Sequence, residues 1–473
     1  MASEIRVNKI ENRSGLGTVT FADTGVDLAG IVTGTTFSGS GASLTDLPAA
    51  QLSGALPAIS AASLTNVPAA NVVGVHTSLT VTNTTTTGSA VVGGGVTISE
   101  SGIEASGIGI TCANINGTQI GGRRNIIING AMQVAQRGTS STTQGFQTLD
   151  RFAVWFYGTD EAPTQEQYAM NSNDTGPWEE GFRKAIKITN GNQTSGAEAV
   201  DYLYIRTKIE AQDIANSGWD YLNPNSFITL SFWVKANAQT YNVRLQSSDG
   251  TNYNYPFQYT VSSASAWQKV IHSIPGNANL QFDNDNGNGL ELHWQMYRGS
   301  DYTNNSVSND TWAAYASGTR TKPATSTWWE TNDAVFRLTG VQLEVGSQAT
   351  PFEHRSVGEE LALCQRYFTR IPSANASSGY YFLAQGAAHD TNAFLCNFHF
   401  PTTMRSNPSL STTGSLRAYN GGGLTISSIV LNTSSVAGAC LQVATSSGLS
   451  AKDAVTLGQN NDSDAGVEFN SEL

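Results

Sequence analysis

Hydrophobic and polar residues alternate along the chain between about residues 123 and 355, with the two-residue period of β-strands. Three runs show this most clearly: residues 202–209, 228–235 and 290–297 each place an apolar side chain at almost every second position. Turn-forming segments such as SSDGTN at 247–252 separate such runs. So many half-buried strands predict an antiparallel β-sandwich, a jelly roll.

A single helix is predicted after this region. Ser356 has the character of an N-cap, and Glu359 stands three residues later, where a capping-box partner belongs. An apolar stripe then continues to Phe368, so we expect the helix to end near Arg370. Residues 371–473 return to short strands with Gly and Ser turns and predict a small β-domain.

The segment before the sandwich has a different composition. No aromatic residue occurs among the 108 residues from Ser38 to Gly145. Within it, ASLTDLPAAQLSG at 42–54 returns as ASLTNVPAANVVG at 62–74, and isoleucines at 98, 103 and 108 are five apart. Short repeats of this kind need stacking neighbours to bury their apolar faces. We expect a β-rich shaft in which identical chains wrap around one another; the alternative is a flexible linker.

Charge and composition narrow the function classes. The 473 residues contain 25 Lys plus Arg and 37 Asp plus Glu, a net charge of −12, which disfavours a nucleic-acid-binding surface. No apolar run reaches the length of a membrane-spanning helix, and we expect no membrane insertion. The first residues carry no hydrophobic segment, so no secretory signal is expected. The four cysteines are scattered and predict no disulfide framework.

Several longer motifs resemble those of phage virion proteins. Residues 4–10, EIRVNKI, resemble the start of virion proteins from tailed phages of cyanobacteria and other marine bacteria. The segment RRNIIINGAMQVAQRG at 123–138, followed by DRF at 150–152, looks like the opening of a globular module common in phage tail fibres. GVQLEVGSQATPFE at 340–353 resembles its last strand, and CQRYF at 364–368 the helix that follows.

This resemblance implies a fold and a place of action. The module is similar to jelly-roll carbohydrate-binding domains, and the family implies a homotrimeric tail fibre that attaches to phage tail proteins through its N-terminus. We therefore divide the chain into an attachment segment (1–40), a repeat shaft (41–122), a jelly-roll carbohydrate-binding-like domain (123–355), and a helix with a C-terminal β-domain as the receptor-binding tip (356–473). The expected location is the virion.

Glycan binding is the best-supported site hypothesis. Aromatic rings hold the C–H faces of sugars while polar side chains hold the hydroxyls, and on a jelly roll such groups would lie on the solvent face of a sheet. Trp294 and Trp155 are assigned to the core. The alternative is that loops or a neighbouring subunit cover the candidate side chains. The candidates are Trp233, Tyr202, Tyr204, Arg206, Asn242, Arg244, His293, Gln295 and Tyr297.

Other chemistry is less well supported. Asp283 and Asp285 in DNDNGNG offer the hard oxygen ligands of Ca²⁺ but lack an EF-hand's glutamate, so a Gly/Asn hairpin loop is the alternative. Apart from this candidate Ca²⁺ no cofactor is expected. Glu179 and Glu180 are adjacent carboxylates, most simply explained as an acidic loop.

Together these features predict a tail fibre protein that is not an enzyme. We expect it to adhere to a host surface glycan or lipopolysaccharide. The alternatives are a fibre-borne polysaccharide depolymerase, and a structural spacer or docking subunit of the tail.

Overall fold

The computed structural model describes residues 123–372 and 379–473 in full, and before them only residues 9–11, 18–23, 25–28, 31–33, 35–36, 38, 90–92, 96–99 and 102–105. The chain divides into two compact units, Met1–Ser106 and Gly107–Leu473. The repeats at 42–54 and 62–74 lie outside the described residues, as does most of the segment predicted to attach to the virion. The four-part division of the chain therefore stays a prediction.

Among its described residues, the first unit contains two antiparallel three-stranded sheets. In the second of these sheets Ile98 pairs with Ile103 across a tight hairpin, so these two isoleucines lie opposite each other. The strands are β1 (Lys9–Glu11), β2 (Thr18–Ala22), β3 (Gly25–Leu28), β4 (Ala90–Val92), β5 (Val96–Ser99) and β6 (Gly102–Ala105).

The second unit begins with the predicted jelly-roll sandwich. Its strands are β7 (Ser140–Ser141), β8 (Ala153–Tyr157), β9 (Thr164–Ala169), β10 (Lys184–Thr189), β11 (Tyr202–Glu210), β12 (Phe227–Ala236), β13 (Gln239–Ser247), β14 (Tyr253–Val261), β15 (Gln268–Pro275), β16 (Asn288–Arg298), β17 (Ala313–Ala314) and β18 (Val335–Val345). A short helix α1 (Ala211–Ala215) follows β11, and a 3₁₀ turn covers Ser300–Tyr302. The first sheet has the order β15-β12-β18-β10-β9-β7, and the second sheet the order β17-β14-β13-β16-β11-β8.

The sandwich core forms where the two sheets face each other. Alternation gives each strand one apolar side, and these sides meet in a continuous buried cluster. Phe232 of the first sheet meets Trp294 of the second edge to face, with ring centroids 5.9 Å apart. Trp294 is therefore a core residue, as predicted. Trp155 is not, because it pairs with Tyr204 on the outer side of the second sheet and is half-buried there.

Helix α2 (Val357–Gln365) follows the sandwich. The Ser356 side chain accepts a hydrogen bond from the backbone N–H of Glu359, so the predicted N-cap is confirmed. The predicted end was too late: the helix stops at Gln365, and Phe368 begins strand β19. Phe368 is buried in this strand, where it pairs with β27. A buried strand residue is apolar just as a buried helix residue is, so the sequence could not distinguish the two. Among the described residues, no helix has the length and apolar character needed to cross a membrane.

The C-terminal part is a small closed barrel with a three-stranded sheet beside it. The barrel order is β20-β21-β25-β24-β23-β26 and the sheet order β19-β27-β22. The strands are β19 (Phe368–Ile371), β20 (Phe382–Ala388), β21 (Ala393–His399), β22 (Ser409–Thr413), β23 (Leu416–Tyr419), β24 (Gly423–Ser435), β25 (Gly438–Thr445), β26 (Ala454–Gln459) and β27 (Gly466–Asn470). The chain is thus all-β, with a sandwich and a separate barrel core.

A buried polar junction joins the sandwich to the segment that leads into the barrel. Glu210, at the end of β11, is fully buried and accepts hydrogen bonds from Arg366 at 2.7 and 2.8 Å and from the Tyr367 hydroxyl. Arg151 stacks on the Tyr367 ring and pairs with Glu472 near the C-terminal end. Burial opposes ionisation of Glu210, but the Arg366 and Tyr367 hydrogen bonds outweigh it and lower its pKa.

Candidate functional site

The outer face of the second sheet gathers most of the predicted site residues, because the alternation that buries the core side chains sends their neighbours outward. Strand register places them in rows. One row runs Gln258, Asn242, Gln295, Tyr204, Trp155, and the next runs Pro256, Arg244, His293, Arg206, Ala153. Tyr202 lies beyond Tyr204 on β11 and pairs with Tyr157 of β8. Side chains that are far apart in the sequence thus lie on adjacent strands of one face.

A β-bulge removes one predicted residue from this face. Leu203 pairs with Tyr297 but Tyr204 pairs with Gln295, so β16 carries one extra residue, Met296, at that point. The side chains after it are reversed. Tyr297 therefore packs into the core against Trp329, with ring centroids 5.1 Å apart, and its assignment to the outer face was wrong.

The same bulge turns Arg298 outward. Its guanidinium lies over the rings of Tyr204, Tyr302 and Tyr202 at 4.7, 5.4 and 5.5 Å. The period-two pattern of β16 would have placed Arg298 inside, so only the observed register shows that it faces the site.

A loop spanning residues 300–325 covers the β13 side of this face. Asn242 donates a hydrogen bond to the Lys322 carbonyl at 3.0 Å, and Asn254 donates one to the Arg320 carbonyl at 2.7 Å. Thr321 lies within 3.4 Å of the Gln295 amide oxygen. The side chains beneath this loop are accordingly inaccessible: Asn242, Arg244, His293 and Gln295 are all buried. The alternative that loops cover part of the predicted site holds for these four residues.

The β8 and β11 side of the face is open. Its rings form what we call the aromatic platform: Trp155, Tyr157, Tyr202, Tyr204 and Tyr302. Tyr157 and Tyr202 stack with centroids 6.0 Å apart and planes 23° apart, and Tyr204 follows Tyr202 at 5.5 Å. Tyr302 meets Tyr202 edge to face at 5.8 Å. Tyr157 is 56% exposed and the other four rings are half-buried, so solvent reaches this surface.

Charged groups flank the aromatic platform. Arg206 lies over the Trp155 ring at 5.2 Å, and Arg206 and Lys208 approach the Glu291 carboxylate at 3.9 and 3.4 Å. Burial opposes ionisation of Glu291, but the His293 hydrogen bond and these cations hold the pKa of its carboxyl well below its usual range. Burial and the nearby Arg244 lower the pKa of His293, which is neutral at pH 7.

Trp233 lies elsewhere. It belongs to β12 of the first sheet, so it cannot contact the same ligand as the residues on the outer face of the second sheet. Its ring is half-buried near Gly176 and Gly340, and its indole N–H donates to Glu180 at 3.0 Å. Glu180 also holds Lys269 at 2.9 Å. Glycan binding by Trp233 stays a prediction. None of the other candidate residues lies beside Trp233, because they belong to the second sheet.

The acidic turn at 283–289 shows loop geometry. The Asp285 carboxylate accepts a hydrogen bond from the Gly287 N–H at 2.8 Å, and Asp283 accepts one from Gln281 at 3.1 Å. Across residues 123–372 and 379–473, no group of three or more His, Cys, Asp or Glu side chains is placed to hold a metal ion. Asp283 and Asp285 thus lack a third such ligand there.

Sequence reasoning missed three rings of the aromatic platform, Trp155, Tyr157 and Tyr302, and the nearby cations Lys208, Arg298 and Arg320. Trp155 stands in AVWFY, where apolar residues on both faces hide the alternation. Tyr302 and Arg320 come from loops, which carry no periodic signal. Trp155 could have been placed on this face by its pairing with Tyr204 across β8 and β11. That pairing can be known only once the order of the strands in the sheet is known.

Comparisons with known proteins add similarity of fold only. No protein-family model and no curated protein matches the sequence. The enzymatically active domain of tailspike protein 4 of bacteriophage CBA120 aligns with 47% of this chain and 21% of its own length, at 10% identity and a TM-score of 0.26. The family 11 carbohydrate-binding module of a cellulosomal cellulase of Clostridium thermocellum aligns with 46% of this chain and 98% of its own length, at 11% identity and a TM-score of 0.22.

A third solved structure is similar at the same level. It is a xylan-binding domain from Paenibacillus barcinonensis, with 10% identity, a TM-score of 0.21, and coverage of 45% of this chain and 94% of that domain. At these scores no site residue can be transferred, and the chemistry of the outer face has to be argued from its own side chains.

Proposed function

We propose that the protein binds glycans on the aromatic platform without chemically changing them. The observation that carries the proposal is the run of solvent-accessible rings, Tyr157, Tyr202, Tyr204 and Trp155, on neighbouring strands β8 and β11. The Tyr157 and Tyr202 rings stand 6.0 Å apart and the Tyr202 and Tyr204 rings 5.5 Å apart, comparable to the repeat of a sugar unit, so they can stack on successive C–H faces of a chain. Arg206 and Lys208 lie beside them to hold hydroxyl or acidic groups.

The Glu291 carboxylate beside this surface supports binding rather than hydrolysis. Glycoside hydrolysis needs a protonated acid whose pKa is raised, together with a second carboxylate. Glu291 has the opposite character, because its cationic neighbours keep it ionised. Glu180 is held by Trp233 and Lys269 on the first sheet, away from the aromatic platform. We therefore keep the proposal of a protein that is not an enzyme.

The biological setting is proposed from the sequence motifs. The segments at 4–10, 123–138 and 340–353 support a tail fibre of a tailed phage, located in the virion and attached through its N-terminal part. In a homotrimer three weak sites would act together, because binding of one raises the effective concentration of the others. The partner on the host would be a surface glycan or lipopolysaccharide.

Native gels containing soluble polysaccharide test the binding site. The full chain is run in gels of alginate, polygalacturonate, xylan or hydroxyethylcellulose, and retardation measures affinity. We expect Tyr204→Ala and Trp155→Ala to weaken binding about tenfold each, the size typical of removing a central interface aromatic. Tyr381→Ala removes an exposed tyrosine of the barrel part and is the matched control.

The outcomes separate the two candidate binding regions. Loss of retardation in the platform variants with normal behaviour of Tyr381→Ala supports the proposal. Retardation that survives both platform substitutions and is lost in Tyr381→Ala would move the site to the C-terminal part. A wild-type chain that migrates freely in every gel contradicts glycan binding. Release of reducing ends from a retarding polysaccharide would show an enzyme instead.

A further inference from the structure

We propose that the aromatic platform takes acidic glycans, whose sugars carry carboxylate or sulfate groups, and that Arg298 and Arg320 recognise the anionic group. This inference rests on the proposed function and adds the chemical class of the ligand. It begins from a contrast in charge: the protein as a whole has a net charge of −12, yet the surface around the platform is rich in cations.

The cations on this surface outnumber the carboxylates that pair with them. Five positively charged side chains lie on or directly beneath this surface, and within the described residues the ion pairs that they form, from Arg206 and Lys208, both go to one carboxylate, Glu291. His293 adds no charge at neutral pH. An anion arriving at this surface therefore finds a net positive site. The five cations are Arg206, Lys208, Arg244, Arg298 and Arg320.

Arg298 is the most informative of them. It is 3% exposed, and in the described part of the chain none of its three side-chain nitrogens makes a well-formed hydrogen bond, although a weaker contact with the Tyr204 side chain opposes the fall in pKa that burial causes. No carboxylate of that part lies within ion-pair distance of Arg298 either. Three tyrosine rings stabilise the positive charge through their faces, but rings do not satisfy N–H donors. A buried donor without an acceptor lowers the stability of the folded protein. Such an arrangement is explained if a bound ligand supplies the acceptor.

Arg320 lies close to one of these rings, that of Tyr302. Its guanidinium lies 4.7 Å from the Tyr302 ring centroid, and that of Arg298 lies 5.4 Å from it. Arg320 is partly exposed, and its buried Nε has no acceptor within the described chain. Two guanidinium groups around one tyrosine are arranged to bind a planar or multi-oxygen anion with charge-assisted hydrogen bonds.

A groove gives the anionic group access to Arg298. It has a volume of about 360 Å³ and is lined by Arg298, Ser300, Thr303, Asn304, Asn305 and Pro323 among others. The hydroxyl and amide side chains in the lining can hold sugar hydroxyls while the anion reaches the Arg298 guanidinium. Tyr302, in the 3₁₀ turn beside the groove, connects it with the aromatic platform.

The experiment uses ligands that differ only in charge. Affinity of the full chain is measured in native gels with polygalacturonate against its methyl-esterified form, and with dextran sulfate against dextran. We expect the charged member of at least one pair to bind about tenfold or more tightly, and added NaCl to reduce that difference. The pair that shows the difference distinguishes a carboxylate from a sulfate.

Variants locate the charge recognition. Arg298→Gln and Arg320→Gln should each lose about tenfold or more on the charged polymer and change binding of neutral polymers less than twofold. Arg183→Gln is the matched control, since Arg183 is an exposed arginine over a tryptophan ring, at 3.7 Å, remote from the second sheet. Arg298→Gln removes a buried charge but also its contacts with three tyrosine rings, so urea unfolding of this variant is measured beside binding to show that it is folded. Arg320→Gln, at a more exposed position, tests the idea if Arg298→Gln does not fold.

The possible outcomes test three separate claims: the acidic class of the ligand, the role of the two arginines, and glycan binding itself. Equal binding of charged and neutral members overturns the acidic class and leaves glycan binding intact. A charge preference that survives both arginine substitutions, or that Arg183→Gln removes equally, shows that the anion is held elsewhere and overturns the assignment to Arg298 and Arg320. Binding of no polymer of either kind contradicts the proposed function itself.

Discussion

Removing Arg366 should destabilise the protein far more than its partly exposed position suggests. Arg366 forms two short hydrogen bonds to Glu210, a carboxylate with no solvent exposure, while 28% of the Arg366 side chain itself is exposed. In Arg366→Met the carboxylate keeps only the Tyr367 hydroxyl and the Gln212 amide as donors. Breaking a buried ion pair from one side typically costs about 3–5 kcal/mol.

We expect about 3 kcal/mol here, near the lower limit, because two donors to Glu210 remain and water reaches Arg366. At ~1.4 kcal/mol per tenfold this raises the unfolded fraction by a factor of roughly 150. The double variant Glu210→Gln with Arg366→Met should recover more than half of the loss, since it removes the buried charge as well. The matched control is Lys187→Met, which breaks a partly exposed pair with Glu166 at 2.8 Å and should cost less than ~1 kcal/mol.

Two measurements follow the change. Urea unfolding monitored by tryptophan fluorescence reports on the sandwich, because all nine tryptophans lie between residues 155 and 329. Hydrogen exchange of β19 and β27 reports on the barrel side of the junction. If Arg366→Met shifts neither observable more than Lys187→Met does, the Glu210 carboxylate is not held as a buried ion, and the reasoning is refuted.

Three further expectations can be checked with the same methods. Ser356→Ala should lower hydrogen-exchange protection of α2 by about 1 kcal/mol, because a helix N–H loses its cap; unchanged protection would contradict the cap. Gly340→Ala should lower the urea midpoint, since this residue has φ +63° and a Cβ would lie 2.8 Å from the Phe182 ring; an unchanged midpoint would show that the ring can move away. The pKa of Glu210 is lowered, so its stabilising effect is complete above about pH 4.5 and is lost as the pH falls through its folded pKa. The urea midpoint should therefore fall below pH 4.5 more in the wild type than in Glu210→Gln, and equal pH profiles would exclude this carboxylate as the cause.

The fold could be predicted from the sequence because its signal is local. Alternation marked β11, β12 and β16 almost to the residue, and a serine with a glutamate three positions later marked the start of α2. The end of α2 was predicted too late because an apolar residue at position 368 fits the buried side of a helix and that of a strand equally well. The trimer, the fibre shape and the virion location stay predictions from motifs.

The site could be predicted only in part because its geometry is nonlocal. Alternation correctly sent Tyr202, Tyr204 and Arg206 to one face. It could not show that one extra residue in β16 reverses Tyr297 and Arg298, since a bulge is defined by the partner strand. It also could not show which side chains the 300–325 loop covers, nor that Trp233 belongs to the opposite sheet.

Strand β11 carries the rings of the aromatic platform at one end and the junction carboxylate at the other. From Tyr202 to Glu210 it spans roughly 26 Å at about 3.3 Å per residue. A pull exerted on a bound ligand would thus travel along the strand axis to Arg366. Its neighbours β8 and β16 run antiparallel beside it, so the load would be in shear across many backbone hydrogen bonds at once, rather than opening them one by one. If the proposed binding holds, β11 therefore carries mechanical load as well as contacting the ligand, a property suited to a surface that must hold while the object attached to it moves.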